Sequence, residues 1–461
     1  MLRAPLPVVL AAACVVVSTL SLLIPAAPSY DPWSWLVWGR EVLQGDLRTE
    51  TGPSWKPLPV LFTAPFSLFG DAAPSMWMVV ARAFALGSAV VAGALGLRLA
   101  GWAGALLAGV PLAVVPFLWR PVLLGGSEGA LVFFVLLAVQ RHLAAREGQA
   151  FACGVAAAML RPEAWPFLGL YALWLLYRDR RRLWWIAVGL ALIPVLWLLP
   201  ELWGSGSLWR AAERAQETAP NAPARADRPS LEVLKNFLDR VPSVVLVGLA
   251  LGGLAVLLRR VPRERALAAG ATAALGVAWL ALVMAMTEAG FSGIERYLTM
   301  PLAIAIVLGG IGCAWVLSLV LAAAQPRALR AGTFTVLAVV LAVGYVRLTG
   351  GWADSLSFVE RHGQVTWELD DAISRAGGER QIEECGDVYA SFLLTPPVAW
   401  ELEKHLEEVT AWPHMEGTIL RARLLVSQPL KPLPGWYAKR PNARMVARTE
   451  FWSVEQACVS G

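Results

Sequence analysis

Charge is what this chain has least of. Asp, Glu, Lys and Arg make up 16% of its 461 residues, against 57% hydrophobic ones. A soluble domain of that length cannot cover so much apolar surface with so few charges, so lipid must be part of the solvent. Histidine is scarce too. His142, His362, His405 and His414 share no ligand spacing and the cysteines supply no CxxC pair, which argues against a zinc site built by the protein. No glycine-rich loop of the phosphate-cradling P-loop type is present. The net charge of +5 sits in small arginine clusters between apolar runs, with no continuous basic face, so nucleic acid ranks last among partners. Internal repeats and low-complexity tracts are also lacking.

What is there is a succession of apolar runs of roughly 16 to 24 residues, long enough to cross a bilayer core. They fall at 5–25, 76–98, 101–118, 127–142, 149–161, 163–177, 183–201, 241–258, 266–287, 298–322 and 331–349, with Pro162 and Pro166 interrupting the stretch 149–177. The first run reads as an uncleaved helix rather than a signal peptide, because strongly apolar sequence continues past Cys14 and many further spans follow. Arg3, Arg98, the pair Arg141 and Arg146, the run Arg178 to Arg182, the group Arg259 to Arg265, and then Arg327 and Arg330 fall on alternate loops. Positive charge marks the cytoplasmic side, so residues 26–75, the 202–240 loop and everything after 350 lie outside, with the N-terminus inside.

The expected fold class is therefore an α-helical polytopic membrane protein, with about 11 transmembrane helices over residues 1–350. Residues 351–461 form a small soluble extracytoplasmic α/β domain, because "ECGDVYASFLL", "TILRARLLVS" and "ARMVARTEFWSV" alternate helical and strand patterns. Cys14, Cys153 and Cys313 lie inside apolar runs and read as small buried hydrophobes. Cys385 and Cys458 lie in the outer domain, where a disulfide between them is expected. Within the outer loop 26–75, Pro57, Pro59 and Pro65 disfavour a spanning helix. Segments 31–45 and 57–69 read as interfacial helices whose tryptophans sit at the headgroup level.

Four ionisable clusters lie at the outer ends of spans: Asp31, Arg40, Glu41 and Lys56; Arg120 and Glu128; Arg161 and Glu163; Glu288, Glu295, Arg296 and Tyr297. Charges near membrane depth are costly unless paired or hydrated, and so tend to mark sites. Arg and Lys bind phosphate oxygens and stabilise a leaving phosphate, while a carboxylate accepts a proton from an attacking hydroxyl. Each group also has a plainer reading. Asp31 caps a helix starting at Pro32, and Glu128 caps the span after it. Lys56 snorkels to the headgroups. Arg161 with Glu163, and Arg296 with Glu295, form local ion pairs.

The order of these motifs resembles the GT-C superfamily of integral-membrane glycosyltransferases, in the group of protein O-mannosyltransferases and lipid A aminoarabinose transferases. The resemblance rests on Asp31 soon after the first span, on "WKPLP", on "SEGALVFF" opening a span, on "RPEAW", and on "ERYLTMP" opening a late span. It covers most of residues 1–350. One departure concerns the first outer loop, where many relatives carry two adjacent acids and Asp31 is followed by Pro32. The resemblance implies a cell-envelope enzyme that takes a mannose-like or pentose sugar from a polyprenyl-phosphate donor and passes it to a lipid, glycan or protein acceptor hydroxyl. Such enzymes mostly invert the anomeric centre without a metal, so no cofactor is expected, although a divalent cation stays open. By resemblance Asp31 is the general base, Lys56 and Arg296, with Arg161, hold the donor phosphate, and Glu128, Glu163, Tyr297 and Arg120 line the cavity. A transporter or flippase of a lipid-linked substrate is the rival reading, but it calls for ionisable groups at the bilayer midplane, where these spans are almost purely apolar. A third reading is a non-catalytic membrane scaffold whose outer domain binds a partner.

Overall fold

The computed structural model of the chain describes residues 5–323, 344, 350–411, 413, 416–424, 427, 430, 439 and 442–458. The run 331–349 therefore lies almost wholly outside the described residues, as do Arg3, Arg327, Arg330 and His414. Every other apolar run has a helix over it. In chain order the helices are α1 (Leu6–Leu20), α2 (Tyr30–Gln44), α3 (Pro57–Phe66), α4 (Ala72–Val114), α5 (Pro116–Leu123), α6 (Glu128–Leu143) and α7 (Glu147–Ala158). There follow α8 (Trp165–Arg178), α9 (Leu183–Ser205), α10 (Arg210–Gln216), α11 (Pro229–Arg240), α12 (Ser243–Leu257), α13 (Arg263–Glu288) and α14 (Thr299–Ala323). Among the described residues, five stretches are long and apolar enough to cross a membrane: Leu6–Leu23, Ala72–Val114, Arg180–Ser205, Arg263–Glu288 and Glu295–Ala322. The apolar helix α12 joins α11 at a 94° bend, Pro57–Phe69 is a shorter apolar helix, and α6, α7 and α8 are short helices between the long ones.

The long element α4 carries two of the expected runs. It breaks at Gly101, whose φ of 71° and ψ of −162° belong to no helix. The arms 72–100 and 102–114 then fold back on each other. A Cβ on Gly96 would lie 2.0 Å from the Gly104 carbonyl oxygen, and one on Gly109 would lie 3.0 Å from the Ala89 oxygen. Pairing of 96 with 104 and of 89 with 109 is the pattern of an antiparallel hairpin closed backbone to backbone. Where lipid supplies no hydrophobic drive between helices, such small-residue contact is what packs them. The same device joins α12 to α14, where a Cβ on Gly248 would meet the Gly309 oxygen at 2.2 Å.

Beyond residue 350 a helix, α15 (Trp352–Trp367), leads into a five-stranded sheet of order β2-β1-β3-β5-β4. Its strands are β1 (Asp387–Ala390), β2 (Val409–Thr410), β3 (Gly417–Ala422), β4 (Arg444–Arg448) and β5 (Trp452–Ala457). β1 pairs in parallel with β2 and β3, whereas β5 runs antiparallel to β3 and β4. A disulfide joins Cys385 to Cys458.

The outer loop differs from the interfacial reading. α2 is not laid on a lipid surface, because Trp33, Trp35 and Trp38 are 1%, 1% and 0% exposed. Trp33 packs on Trp367 and Trp400 of the C-terminal part, Trp35 stands edge-on to Trp77, and Trp38 packs on Trp55. Aromatic density marks both membrane belts and buried junctions. Here the C-terminal domain covers the helix, and partners more than 300 residues away cannot be seen in a local window. Arg40 donates to the carbonyls of Ala399, Trp400 and Lys404, and Arg48 pairs with Glu407 at 2.8 Å.

Candidate active site

Four separate stretches of chain deliver one carboxylate and three cations to the same place. Asp31 stands in the first turn of α2, where the backbone N–H of Ser29 donates to the Leu124 carbonyl at 2.9 Å. Lys56 is the residue before α3, whose first turn is tied to the end of α7 by Leu58 N–H donating to the Met159 carbonyl at 3.3 Å. Arg161 lies three residues beyond the end of α7, just before the 3-10 turn Pro162–Ala164, and Arg296 lies in the 3-10 turn Glu295–Leu298 that opens α14.

The capping reading of Asp31 fails. The helix begins at Tyr30 with Ser29 as its N-cap, and no side chain makes a cap hydrogen bond there. The Asp31 carboxylate instead accepts from Arg296 Nη1 at 2.7 Å and from Lys56 Nζ at 3.4 Å, both on Oδ2. Its side chain keeps 20% exposure, so the pair is reachable from outside. Lys56 is buried, with its ammonium 4.8 Å from the centre of the Trp35 ring, so it does not snorkel to the headgroups.

Behind this pair lies a second layer. Arg161 donates to Glu128 at 3.1 Å and faces Glu163 at 3.6 Å, all three side chains being buried. The Tyr297 ring lies between the two arginines, 5.0 Å from the Arg161 guanidinium carbon and 5.9 Å from that of Arg296. Glu128 therefore does more than cap α6. Gly126 leaves it room, since a Cβ there would fall 2.3 Å from Glu128 Oε2.

Asp31, Lys56, Arg161, Arg296, Glu128, Glu163 and Tyr297 thus come together. Arg120 does not. It is exposed, and its guanidinium sits 4.2 Å over the Phe358 ring of α15, at the seam with the C-terminal domain. α5 turns it away from the cavity, an orientation that its position near the end of an apolar run does not reveal. Glu288 accepts from the backbone N–H of Ser230, and Glu295 pairs with Arg240 rather than with Arg296.

Electrostatics set the resting state of the site. Burial pushes the Asp31 carboxyl upward, but the charges of Arg296, Lys56 and Arg161 outweigh it and hold it down at about 2. Burial depresses the Lys56 ammonium to about 8, helped by the like charges of Arg161 and Arg296 and opposed by Asp31. Four buried polar atoms here have no hydrogen-bond partner among the described residues: Arg161 Nε, Arg296 Nε, Glu128 Oε2 and Ser127 Oγ. Buried groups of this kind normally bond to something, so these atoms can still donate to or accept from a bound partner.

A neighbouring network escapes any local reading. Arg210 in α10 donates to the carbonyls of Thr51, Gly52 and Pro53 and faces the buried Glu201 at 3.6 Å. It fixes the loop between α2 and α3, and so the spacing of Asp31 from Lys56. The carbonyls it holds lie more than 150 residues away in sequence, and nothing near Arg210 signals them.

An apolar cavity of about 360 Å³ begins beside the site at Ala164 and Phe167 and runs between α6, α7, α8 and α13 to His142 and Trp174. Its walls include the stacked pair Phe167 and Trp279.

No protein-family model matches the sequence, and no curated protein matches it. The fold does have relatives. ArnT from Cupriavidus metallidurans in the apo state matches with a TM-score of 0.58 at 16% identity, over 97% of this chain and 97% of that one. ArnT bound to undecaprenyl phosphate matches with a TM-score of 0.56 at 16% identity and the same coverage. The chain accordingly shares the fold of ArnT over nearly its whole length, the C-terminal domain included.

Proposed function

We propose that this protein is a membrane glycosyltransferase that moves a sugar from a polyprenyl-phosphate donor to a hydroxyl on the outer face. The observation that carries the reading is one carboxylate, Asp31, held by Arg296 and Lys56 at an accessible surface, with Arg161 behind. The donor phosphate would sit on Arg296, Lys56 and Arg161, and the unpartnered Nε–H groups of the two arginines offer further donors. The apolar cavity beside the site fits the first units of an isoprenoid chain. The likeness to a fold that binds undecaprenyl phosphate supports the same choice of donor.

A carboxylate with a pKa of about 2 is a poor base at neutral pH. The donor itself corrects this. A phosphate bound to Arg296 and Lys56 takes over the cations that depress Asp31 and adds negative charge beside it, and both effects raise its basicity. Asp31 then accepts the proton of the acceptor hydroxyl as that oxygen bonds to the anomeric carbon. The bond from that carbon to the phosphate oxygen breaks, and the polyprenyl phosphate leaves with the electron pair, its charge held by the three cations. Glu128 and Glu163 keep Arg161 in place. Three side-chain cations supply the phosphate neutralisation, so the reading calls for no metal.

The test is to incubate the purified full chain with a panel of polyprenyl-phosphate hexoses and pentoses and to follow loss of the lipid-linked sugar. Turnover of at least one donor, abolished in Asp31→Asn, is the expected result. No turnover with any donor overturns the reading in favour of transport, and an undiminished Asp31→Asn variant removes Asp31 from the mechanism.

A further inference from the structure

A second cavity, of about 440 Å³, lies between the outer loop and the C-terminal domain. Its walls come from Tyr30, from residues 50–52, from α10, and from residues 392–411. Tyr30 directly precedes Asp31, so one wall stands a single Cα step, about 3.8 Å along the chain, from the proposed base. Tyr30 and Phe392 stack at 5.2 Å between centroids, and Phe392 keeps 49% exposure.

Two residues of the lining, Glu407 and Thr410, each keep a buried polar atom, Oε2 and Oγ1, without a hydrogen-bond partner among the described residues, Glu407 pairing with Arg48 through Oε1. A carboxylate oxygen accepts only, while a threonine hydroxyl both donates and accepts. A ligand hydroxyl satisfies either. Aromatic faces beside hydroxyl-binding groups make a surface for the C–H faces and O–H edges of a sugar ring.

Charge narrows the choice further. The arginines of the lining are already engaged: Arg210 by the carbonyls of residues 51–53 and by Glu201, Arg214 by the Gly52 carbonyl and Glu217. Glu50 and Glu213 face the cavity with no ion pair among the described residues. A phosphorylated ligand would meet free carboxylates there and no free cation.

We propose that this cavity is the acceptor site, and that it takes a neutral glycan rather than a phosphorylated glycolipid or a peptide. The assignment rests on the transferase reading for its role in the reaction, but binding itself needs no donor.

Saturation-transfer NMR on the full chain in detergent, without donor, tests it. The probes are mannotriose, maltotriose and arabinotriose, compared with mannose 6-phosphate and a threonine-rich peptide. Saturation of at least one neutral trisaccharide is expected, with affinity falling roughly tenfold in Thr410→Val and in Phe392→Ala, the loss of about one hydrogen bond or ring contact. The second variant changes a half-exposed ring, so a folding defect in one does not decide the result. Silence from all three trisaccharides, binding unchanged in both variants, or preference for the phosphorylated sugar or the peptide overturns the proposal. Glycan binding by a protein that turns over no donor would keep the cavity and sink only the transferase reading.

Discussion

Lys56 is the residue in the site whose charge changes nearest to neutral pH. Burial lowers its pKa to about 8, so it is cationic below that value and neutral above it. A neutral Lys56 cannot hold a phosphate, and the donor KM is therefore expected to rise as pH passes through about 8, with kcat less affected. Lys56→Arg keeps its charge over the whole range and should flatten that rise. Donor KM measured from neutral to alkaline pH decides the matter, and a flat wild-type profile would take Lys56 out of the phosphate site. Asp31→Asn should lower kcat by roughly 10²–10⁴-fold, the usual worth of a positioned base, with donor KM nearly unchanged or lower because the cations are released. At this scale the sequence reveals residue types better than partners. The apolar setting makes Asp31, Lys56, Arg161 and Arg296 conspicuous, but Asp31 and Arg296 lie 265 residues apart and their contact leaves no local trace. Arg120 is equally conspicuous, and it faces elsewhere.

Among the elements, α2 has the most to keep in place, since it carries Asp31 at one end and docks on the C-terminal domain at the other. Its Glu41 is 1% exposed and accepts from the Arg48 backbone N–H at 3.0 Å, while its Oε1 lies 2.9 Å from His405 Nδ1. Arg40 adjoins it, and Asp46 holds the other nitrogen of His405 at 3.3 Å. Burial outweighs these contacts and raises the Glu41 carboxyl from 4.5 to about 7. A raised acid means that the folded state binds a proton the unfolded state releases, so this contribution is full below about 4.5 and is lost as pH climbs to about 7. The total is on the order of 3 kcal/mol. The unfolding temperature should rise as pH is lowered from 7 towards 4.5, and Glu41→Gln should flatten that slope. An equal slope in the variant would assign it to other groups. In the hairpin of α4, Gly96→Ala would drive a methyl into the Gly104 carbonyl and should cost about 1–3 kcal/mol, read as a lower unfolding temperature. The two runs of this hairpin are legible as separate spans. The turn at Gly101 is not, because in an apolar run rich in glycine only the backbone shows which one reverses the chain.

For the whole molecule the bilayer did most of the specifying. A span needs some 20 apolar residues, so the helices can be read from the sequence one run at a time. How they assemble depends on close backbone contacts and on the C-terminal domain, and no single run encodes that. The arginine pattern predicts an outer position for both Asp31 and the C-terminal domain, and the proposed mechanism depends on this, because an acceptor outside the cell would reach only an outward-facing site. The disulfide between Cys385 and Cys458 belongs with the same sidedness, since such bonds persist in oxidising compartments. Sidedness can be measured with one cysteine at a time. In a background with Cys14, Cys153 and Cys313 replaced by Ala and the disulfide kept, Asp354→Cys adds an exposed thiol at the start of α15, and Gln149→Cys adds one in α7 beside the arginine-rich loop. An impermeant maleimide applied to intact cells should label the first at once and the second only after permeabilisation. Labelling of Gln149→Cys from outside, with Asp354→Cys protected, would invert the molecule and leave Asp31 facing the cytoplasm, where an outer-face transferase has no acceptor.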